Sequence, residues 1–321
     1  GYGESFFEDK MDEVIKLLEN KLTPEDSKKN GAHYAEGKNG AKLIFFEEED
    51  KFPPLMVLKQ DGATLYSTRD FATDYFRLNH YQNPDLIVNE VGAEQSLYFQ
   101  QIYEVEKIMG WFKEGQRIHV KHGLYRFKDK KMSTRKGNVI WLEDVIGEAK
   151  KRAEDLSNGN QSVAHVVAIG ALKWNDLKSE TSRDISFDWD EILSMKGNSG
   201  PYVQYATVRA KSVLKKAALE EFSPGYGDDS WKMDEVELNL ARHLDRFVEA
   251  VLRSANEFTP HHLAGYLFEL AQRFNGFYNT HQIINAENSD ARERRCVLTQ
   301  AAANTLEYGL ALLGIQTPEE M

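Results

Sequence analysis

The chain has 321 residues, 41% hydrophobic and 28% charged, which is a globular composition long enough for about two domains at ~150 residues each. Its single cysteine, Cys296, excludes an internal disulfide framework and reads as a small core residue; no Cys or His cluster points to structural zinc, and no apolar run approaches the ~18 residues of a membrane span. A formal net charge of −11 argues against indiscriminate nucleic-acid binding, whose affinity comes from Lys and Arg neutralising phosphates.

SFFEDKMDEVIKLLENK (Ser5 to Lys21) places Phe6, Met11, Val14, Ile15, Leu17 and Leu18 near helical spacing, and Thr23-Pro24 closes it. AKLIFFEEED and PPLMVLKQDGATLYST predict short strands, with Pro53-Pro54 and Asp61-Gly62 as breaks. DLIVNEVG then predicts a short buried strand, QSLYFQQIYEVEKIMGWF a helix, and QRIHVKHGLYRF another strand. Strands alternating with helices imply a mostly parallel sheet, as in the second half of a Rossmann-like domain with ligands at the carboxyl ends of the strands. After Trp141 the pattern is helical: VIGEAKKRAEDL, VAHVVAIGALKW, PYVQYATVRAKSVLKKAALEE, then three or four amphipathic helices from Trp231 onward, with SNGNQS and FSPGYGDDS as surface connections. A helical bundle is expected there.

Charge is uneven along this order. Lys121 to Arg152 carries ten Lys and Arg against four Asp and Glu, a local +6 that leaves −17 to the remainder. An acidic body with one basic strip fits recognition of a single shaped RNA, although a charge run is also what a solvated face looks like.

Inside that strip, KMSTRKGN (Lys131 to Asn138) gathers Lys131, Arg135 and Lys136 around Ser133 and ends in Gly137-Asn138. Such a loop can grip phosphates and stabilise charge on a departing pyrophosphate; by composition alone it also fits a solvated turn. In DGATLYSTRDFA, Tyr66 and Asp70 are four apart and share one helical face. A carboxylate beside a phenol can cup a guanidinium, or Asp70 can be a helix-start acid and Tyr66 a half-buried aromatic. Tyr202, Tyr205 and Arg209 recur at spacings of three and four, a stripe that can stack bases and meet phosphates or can simply pack.

These segments, with WLEDVIGEAKKRA, VGAEQSLYFQQ, GNSGPYVQYATVRAKSVLKKA and the closing LALLGIQTPEEM, fall in one order and together resemble the class I arginyl-tRNA synthetases over nearly the whole chain. KMSTRKGN is similar to that family's variant of the KMSKS signature, with Thr134 at the usual second-lysine position and Arg135-Lys136 immediately after it. The resemblance implies catalytic roles for Lys131, Ser133, Arg135 and Lys136, arginine binding by Tyr66, Asp70 and Gln95, and ATP contacts by Lys131, Met132, His119 and Gly123. His122 stands where an aromatic is common in the family. It further implies tRNA contacts by Tyr202, Tyr205, Arg209, Phe274, Tyr278 and Met321, with Phe274 replacing a tyrosine of some relatives.

By that resemblance the fold is the α/β second half of a Rossmann-like class I catalytic domain with connecting helices (1–195), then an all-α anticodon-binding bundle of the DALR type (196–321). The implied partners are arginine, ATP with Mg2+ and tRNA(Arg), in a monomeric cytoplasmic ligase. The HIGH-type tetrad of class I enzymes does not occur; HVKHG (His119 to Gly123) and PHHLAG (Pro260 to Gly265) have the wrong order. The expectation is therefore a C-terminal portion that would not form arginyl-adenylate alone. The alternative is a noncatalytic tRNA- or RNA-binding paralogue or split subunit; the retained Tyr66, Asp70 and Lys131 weigh against it.

Overall fold

Ser67 and Thr68 donate their hydroxyls to the carbonyls of Met56 and Val57, and Leu65 N–H donates to Thr68 Oγ1, so a strand end and a helix start are tied by side chains. This junction belongs to the first of two compact units, Gly1–His122 and Gly123–Met321, in a computed structural model that describes residues 2–47, 52–127, 141–157, 159–219 and 231–321.

In the first unit, a 3-10 turn at Glu4–Lys10 leads into α1 (Met11–Lys21), followed by the short α2 (Ser27–Asn30). Strands β1 (Ala32–Glu36), β2 (Lys42–Phe46) and β3 (Leu55–Leu58) form an antiparallel sheet in that order, with Ala32 opposite Phe46 and Ile44 opposite Leu55. The expectation of a mostly parallel sheet fails here for a simple reason. Only residues 37–41 join β1 to β2, far short of the dozen or so that a parallel crossover requires.

Next come α3 (Tyr66–His80), β4 (Ile87–Gly92), α4 (Ser96–Ile108) and β5 (Arg117–His122). Here β4 and β5 pair in parallel, Ile87 opposite Arg117 through Gly92 opposite His122. Burial of Val14, Leu18, Ile44, Val57, Phe71, Ile102 and Val105 builds one core between α1, the antiparallel sheet, α3 and α4. The strand β4 is not buried as expected, because Val88 is 42% exposed.

The stretch expected as one strand, QRIHVKHGLYRF, is two. The chain breaks at Gly123, whose N–H bonds the Thr181 carbonyl and whose missing side chain leaves room for the Arg183 backbone; a Cβ there would lie 2.2 Å from the Arg183 oxygen. After it, β6 (Tyr125–Phe127) pairs in parallel with β7 (Ile185–Phe187).

The rest of the second unit is helical: α5 (Leu142–Ala153), α6 (Gln161–Leu177), α7 (Trp189–Ile192), α8 (Gly200–Leu219), α9 (Glu235–Asp245), α10 (Phe247–Glu257), α11 (His261–Thr280) and α12 (Ser289–Leu312). Its core joins Trp174, Val203, Leu240, Leu267, Leu270, Phe274, Phe277, Leu306 and Leu310, with Cys296 buried among them. Apart from the short α7, the spacing of apolar residues predicted these helices, because most of them bury one stripe and wet the other. Of the described helices, none is long and apolar enough to cross a membrane.

Candidate functional site

Tyr66 opens α3 and is 73% exposed; Asp70, one turn on, is mostly buried. The residue that holds Asp70 is Tyr98 of α4, whose hydroxyl donates to Oδ2 at 2.6 Å. Burial pushes the Asp70 carboxyl above its ordinary value and the nearby Asp74 adds to this, while the Tyr98 hydrogen bond, Arg77 and Arg117 pull it down.

Beneath Asp70 lies a buried charge cluster. Asp74 is bound by the partly exposed Arg77 at 2.9 Å and by Arg117, and Arg117 Nε lies 3.0 Å from Glu106; Asp74, Glu106 and Arg117 are buried. The guanidinium of Arg117 rests over the rings of Tyr103 and Phe112, and Tyr103 donates to Asn89. Desolvation, reinforced by Asp74, raises Glu106 well above a normal carboxyl. Asp74 and Glu106 are thus served by cations. Among the described residues, no cation pairs with Asp70.

Gln95 sits exposed in the turn Ala93–Gln95, directly after the carboxyl end of β4 and one turn before Tyr98. His119 lies on the neighbouring β5, its Nε2 at 3.0 Å from the Val91 carbonyl and its ring 4.7 Å from Phe99. The carboxyl ends of parallel strands are where open α/β sheets bind ligands. The structure therefore places Tyr66 and Asp70 on one helix, Gln95 in the turn that follows β4, and His119 on β5 beside that strand. Gly123 belongs to the second unit, where it permits the close approach to Arg183. Lys131, Met132, Ser133, Arg135 and Lys136 lie outside the described residues.

In the second unit, Arg209 of α8 is held between two phenols, 4.6 Å from the Tyr205 ring and 5.0 Å from that of Tyr278, and donates to Asn275 at 2.6 Å. Tyr278 remains 38% exposed and lines a cavity of about 460 Å3 with Lys216, Asn279 and Gln282. Tyr202 is not part of this group; its ring meets Phe268 and packs on the core. Phe274 is wholly buried beneath Tyr278, so it supports the phenol from within the bundle. Met321 packs elsewhere, against the cluster of Ala149, Ala153 and Val163.

Among the described residues, Asp234, Glu237 and His281 are the one group placed closely enough to offer three metal-donor atoms. The chemistry does not favour a cation. Arg294 and Arg295 both bond the Glu237 carboxylate, and Asp234 caps the N-terminus of α9 while accepting from His281.

Tyr98, Asp74, Glu106 and Arg117 were not singled out in the sequence, nor was Asn275. Tyr98 and Asp70 are 28 residues apart on different helices, and no local period connects such a pair.

Comparison with known proteins finds matches to both parts of the chain. The family model described as tRNA synthetases class I (R), catalytic domain, matches residues 1–189, and the DALR anticodon binding domain matches residues 203–321. An arginine–tRNA ligase of Clostridium botulinum (strain Langeland) is 37% identical over 326 aligned residues, covering 99% of this chain and 55% of the relative. One from Limosilactobacillus fermentum is 38% identical over 331, with the same coverage. The solved arginyl-tRNA synthetase of Thermus thermophilus superposes with a TM-score of 0.81 at 28% identity, covering 98% of this chain and 58% of that one. The chain thus spans about half the length of the curated relatives it matches. An α/β class I catalytic part followed by an all-helical DALR domain is the architecture present, and the chain belongs to the class I (R), or arginyl, tRNA synthetase family.

Proposed function

We propose that the chain provides the arginine-recognising and tRNA-binding parts of an arginine–tRNA ligase. The observation that carries this reading is Asp70: a mostly buried carboxylate with no cation partner among the described residues, next to an exposed phenol. A guanidinium would supply the missing counter-charge, donating a planar pair of hydrogen bonds that a lysine ammonium cannot reproduce. Tyr66 would line its rim and Gln95 would approach from the strand end.

In this reading the arginine carboxylate attacks the α-phosphate of ATP, brought as its Mg2+ complex. Pyrophosphate leaves, and the arginyl group passes from the adenylate to the terminal ribose hydroxyl of tRNA(Arg), releasing AMP. Lys131, with Ser133, Arg135 and Lys136, would stabilise the departing pyrophosphate, while Met132, His119 and Gly123 would lie on the nucleotide side. Tyr205, Arg209 and Tyr278 would form the RNA face, with Tyr202, Phe274 and Met321 supporting the helical part that carries it. We place the boundary between catalytic and anticodon-binding parts at 195/196, and the protein as a cytoplasmic monomer.

The test is arginine-dependent exchange of pyrophosphate into ATP by the intact gene product with tRNA(Arg) present. Exchange should require arginine, and Lys131→Ala should lower turnover with little change in arginine affinity. Exchange driven equally by another amino acid would defeat the reading.

A further inference from the structure

Three observations about Asp70 converge. It is mostly buried, its neighbours Asp74 and Glu106 are already served by Arg117, and its partner is a neutral phenol rather than a cation. We propose that Tyr98 is a positioning residue for cation selectivity: its hydroxyl fixes Asp70 through Oδ2, presenting the carboxylate in one orientation to a planar guanidinium without neutralising it. This rests on the reading of Asp70 as the arginine contact.

The geometry gives reasons for each part. A carboxylate rotates about its last bond, and a free rotor would lose entropy on meeting a bidentate ligand. Tyr98 is itself confined, packed on the core of the first unit and edge-on to Phe99 at 5.4 Å. It stands one turn beyond Gln95 on the same segment, so a single element locates both side chains. An arginine or lysine in place of Tyr98 would orient Asp70 equally well but would cancel the charge that the ligand must meet. A neutral donor orients and leaves the charge in place.

A pH consequence follows. The groups facing Asp70 are Asp74 and Arg77 from its own helix, Tyr98 and Glu106 from α4, and Arg117 from β5. Burial and Asp74 favour the protonated acid, and the Tyr98 hydrogen bond, with Arg77 and Arg117, opposes them. Removing that hydroxyl therefore moves protonation of Asp70 to higher pH, and arginine binding should fail earlier as pH drops.

The experiment compares Tyr98→Phe with the parent protein, using L-arginine and its uncharged isostere L-citrulline as probes, in the intact gene product with tRNA present. Arginine affinity should fall roughly tenfold, as for a lost hydrogen bond to a charged group, with kcat within about twofold and citrulline affinity unchanged. The acid limb of arginine affinity should shift upward. A merely structural loss would lower both ligands together and leave that limb in place. Asp70→Asn separates the two levels. If Asp70→Asn leaves arginine–citrulline discrimination intact, the arginine-site reading fails. If it abolishes discrimination while Tyr98→Phe keeps both discrimination and the acid limb of the parent, the reading stands and the positioning role is overturned. Adding Tyr98→Phe to Asp70→Asn should cost no further discrimination; an additive loss would also count against the proposal.

Discussion

Tyr98 reaches across from α4 to donate to Asp70 Oδ2 at 2.6 Å, and in doing so joins the helix that follows β4 to the helix that precedes it. The same two helices share the deeper cluster, in which Asp74 of α3 and Glu106 of α4 flank the Arg117 guanidinium. Charges at the bottom are matched and cannot be rearranged cheaply. Asp70 is oriented by Tyr98 but, among the described residues, is paired with no cation.

That state has a cost which predicts opposite signs for binding and stability. Asp70→Asn keeps the size and loses the charge, so arginine binding should weaken by roughly 2 to 4 kcal/mol, as for a desolvated ion pair that loses one partner. Folding should respond in the other direction. The folded carboxyl titrates above its ordinary value of 3.8, so its charge destabilises the native state once pH exceeds the folded pKa, and not below the unfolded one. Melting of Asp70→Asn should occur above that of the parent at pH 7 and converge with it in acid. A variant less stable at pH 7 would show that the charge of the carboxylate is compensated within the fold after all.

The aromatic–guanidinium group on α8 and α11 separates surface recognition from core packing. Tyr278 is 38% exposed and Phe274 is wholly buried. Tyr278→Ala should weaken tRNA binding by about 1 to 3 kcal/mol, the value of one base stack, with little change in melting. Phe274→Ala should cost about 3 to 5 kcal/mol of stability through the cavity it leaves. Arg209→Ala should reduce the salt slope of tRNA binding by about one unit if the guanidinium meets a phosphate. Tight tRNA binding by a folded Tyr278→Ala protein would remove this face from consideration.

The helices of the second unit were legible because burial of one stripe leaves a period of 3.6 in the sequence. Four amphipathic helices, α9 to α12, follow Trp231 as expected. Strands β1 and β7 escaped notice because AHYAE and ISF are too short to show alternation, and the sheet direction was misread because it depends on connection length. Tyr66 and Asp70 were legible as a pair at helical spacing. Tyr98 was not, since its sequence neighbours, Leu97 and Phe99, carry an ordinary amphipathic helix and its partner lies on another element. Charge pairing between elements remote in sequence is likewise invisible in composition, which is why the pairing of Arg117 with Asp74 and of Glu237 with Arg294 and Arg295 emerges only from the fold.

In the second unit, Glu237 of α9 is fully buried and bonded by Arg294 and Arg295 of α12, the latter also bound to Glu287. Desolvation pushes the Glu237 carboxyl up, yet the two guanidiniums and the Asp234 backbone N–H outweigh it and hold it below its ordinary 4.5. A depressed carboxyl contributes stability that is present above the unfolded pKa and disappears as pH falls through the folded one. The melting temperature should therefore fall in acid as Glu237 protonates, its contribution being fully present above about pH 5. Glu237→Gln should destabilise the protein at neutral pH by on the order of 3 to 5 kcal/mol, because it leaves Arg294 without its carboxylate and Arg295 with Glu287 alone, and should flatten the acid limb. An unchanged acid limb would assign that stability to another carboxylate.

The last expectation concerns how α8 is held against α6, since α8 carries Tyr205 and Arg209. The two helices meet backbone to backbone at a pair of glycines. A Cβ on Gly200 would lie 2.7 Å from the Gly170 oxygen and 3.0 Å from Ala171 Cα, while one on Gly170 would strike the Gln204 amide at 2.4 Å. That amide is already committed, donating to the carbonyls of Val166 and Gln316 at 3.3 and 2.7 Å. Neither site can yield by moving a flexible side-chain end. Gly200→Ala meets main chain, and Gly170→Ala displaces a buried amide that bonds the α6 carbonyl row and the chain's C-terminal segment. The intrinsic gain of alanine over glycine in a helix, about 1 kcal/mol, should be overwhelmed. Each substitution should instead cost a net ~1 to 3 kcal/mol, as expected when a packed contact is forced apart. Gly265 and Gly276 of α11 provide the control, because a Cβ at either meets nothing within 4 Å. Gly265→Ala and Gly276→Ala should be neutral to stabilising by up to ~1 kcal/mol in urea denaturation. If all four alanine variants shifted the midpoint alike, helix propensity alone would explain them, and the close α6–α8 approach would have no energetic role.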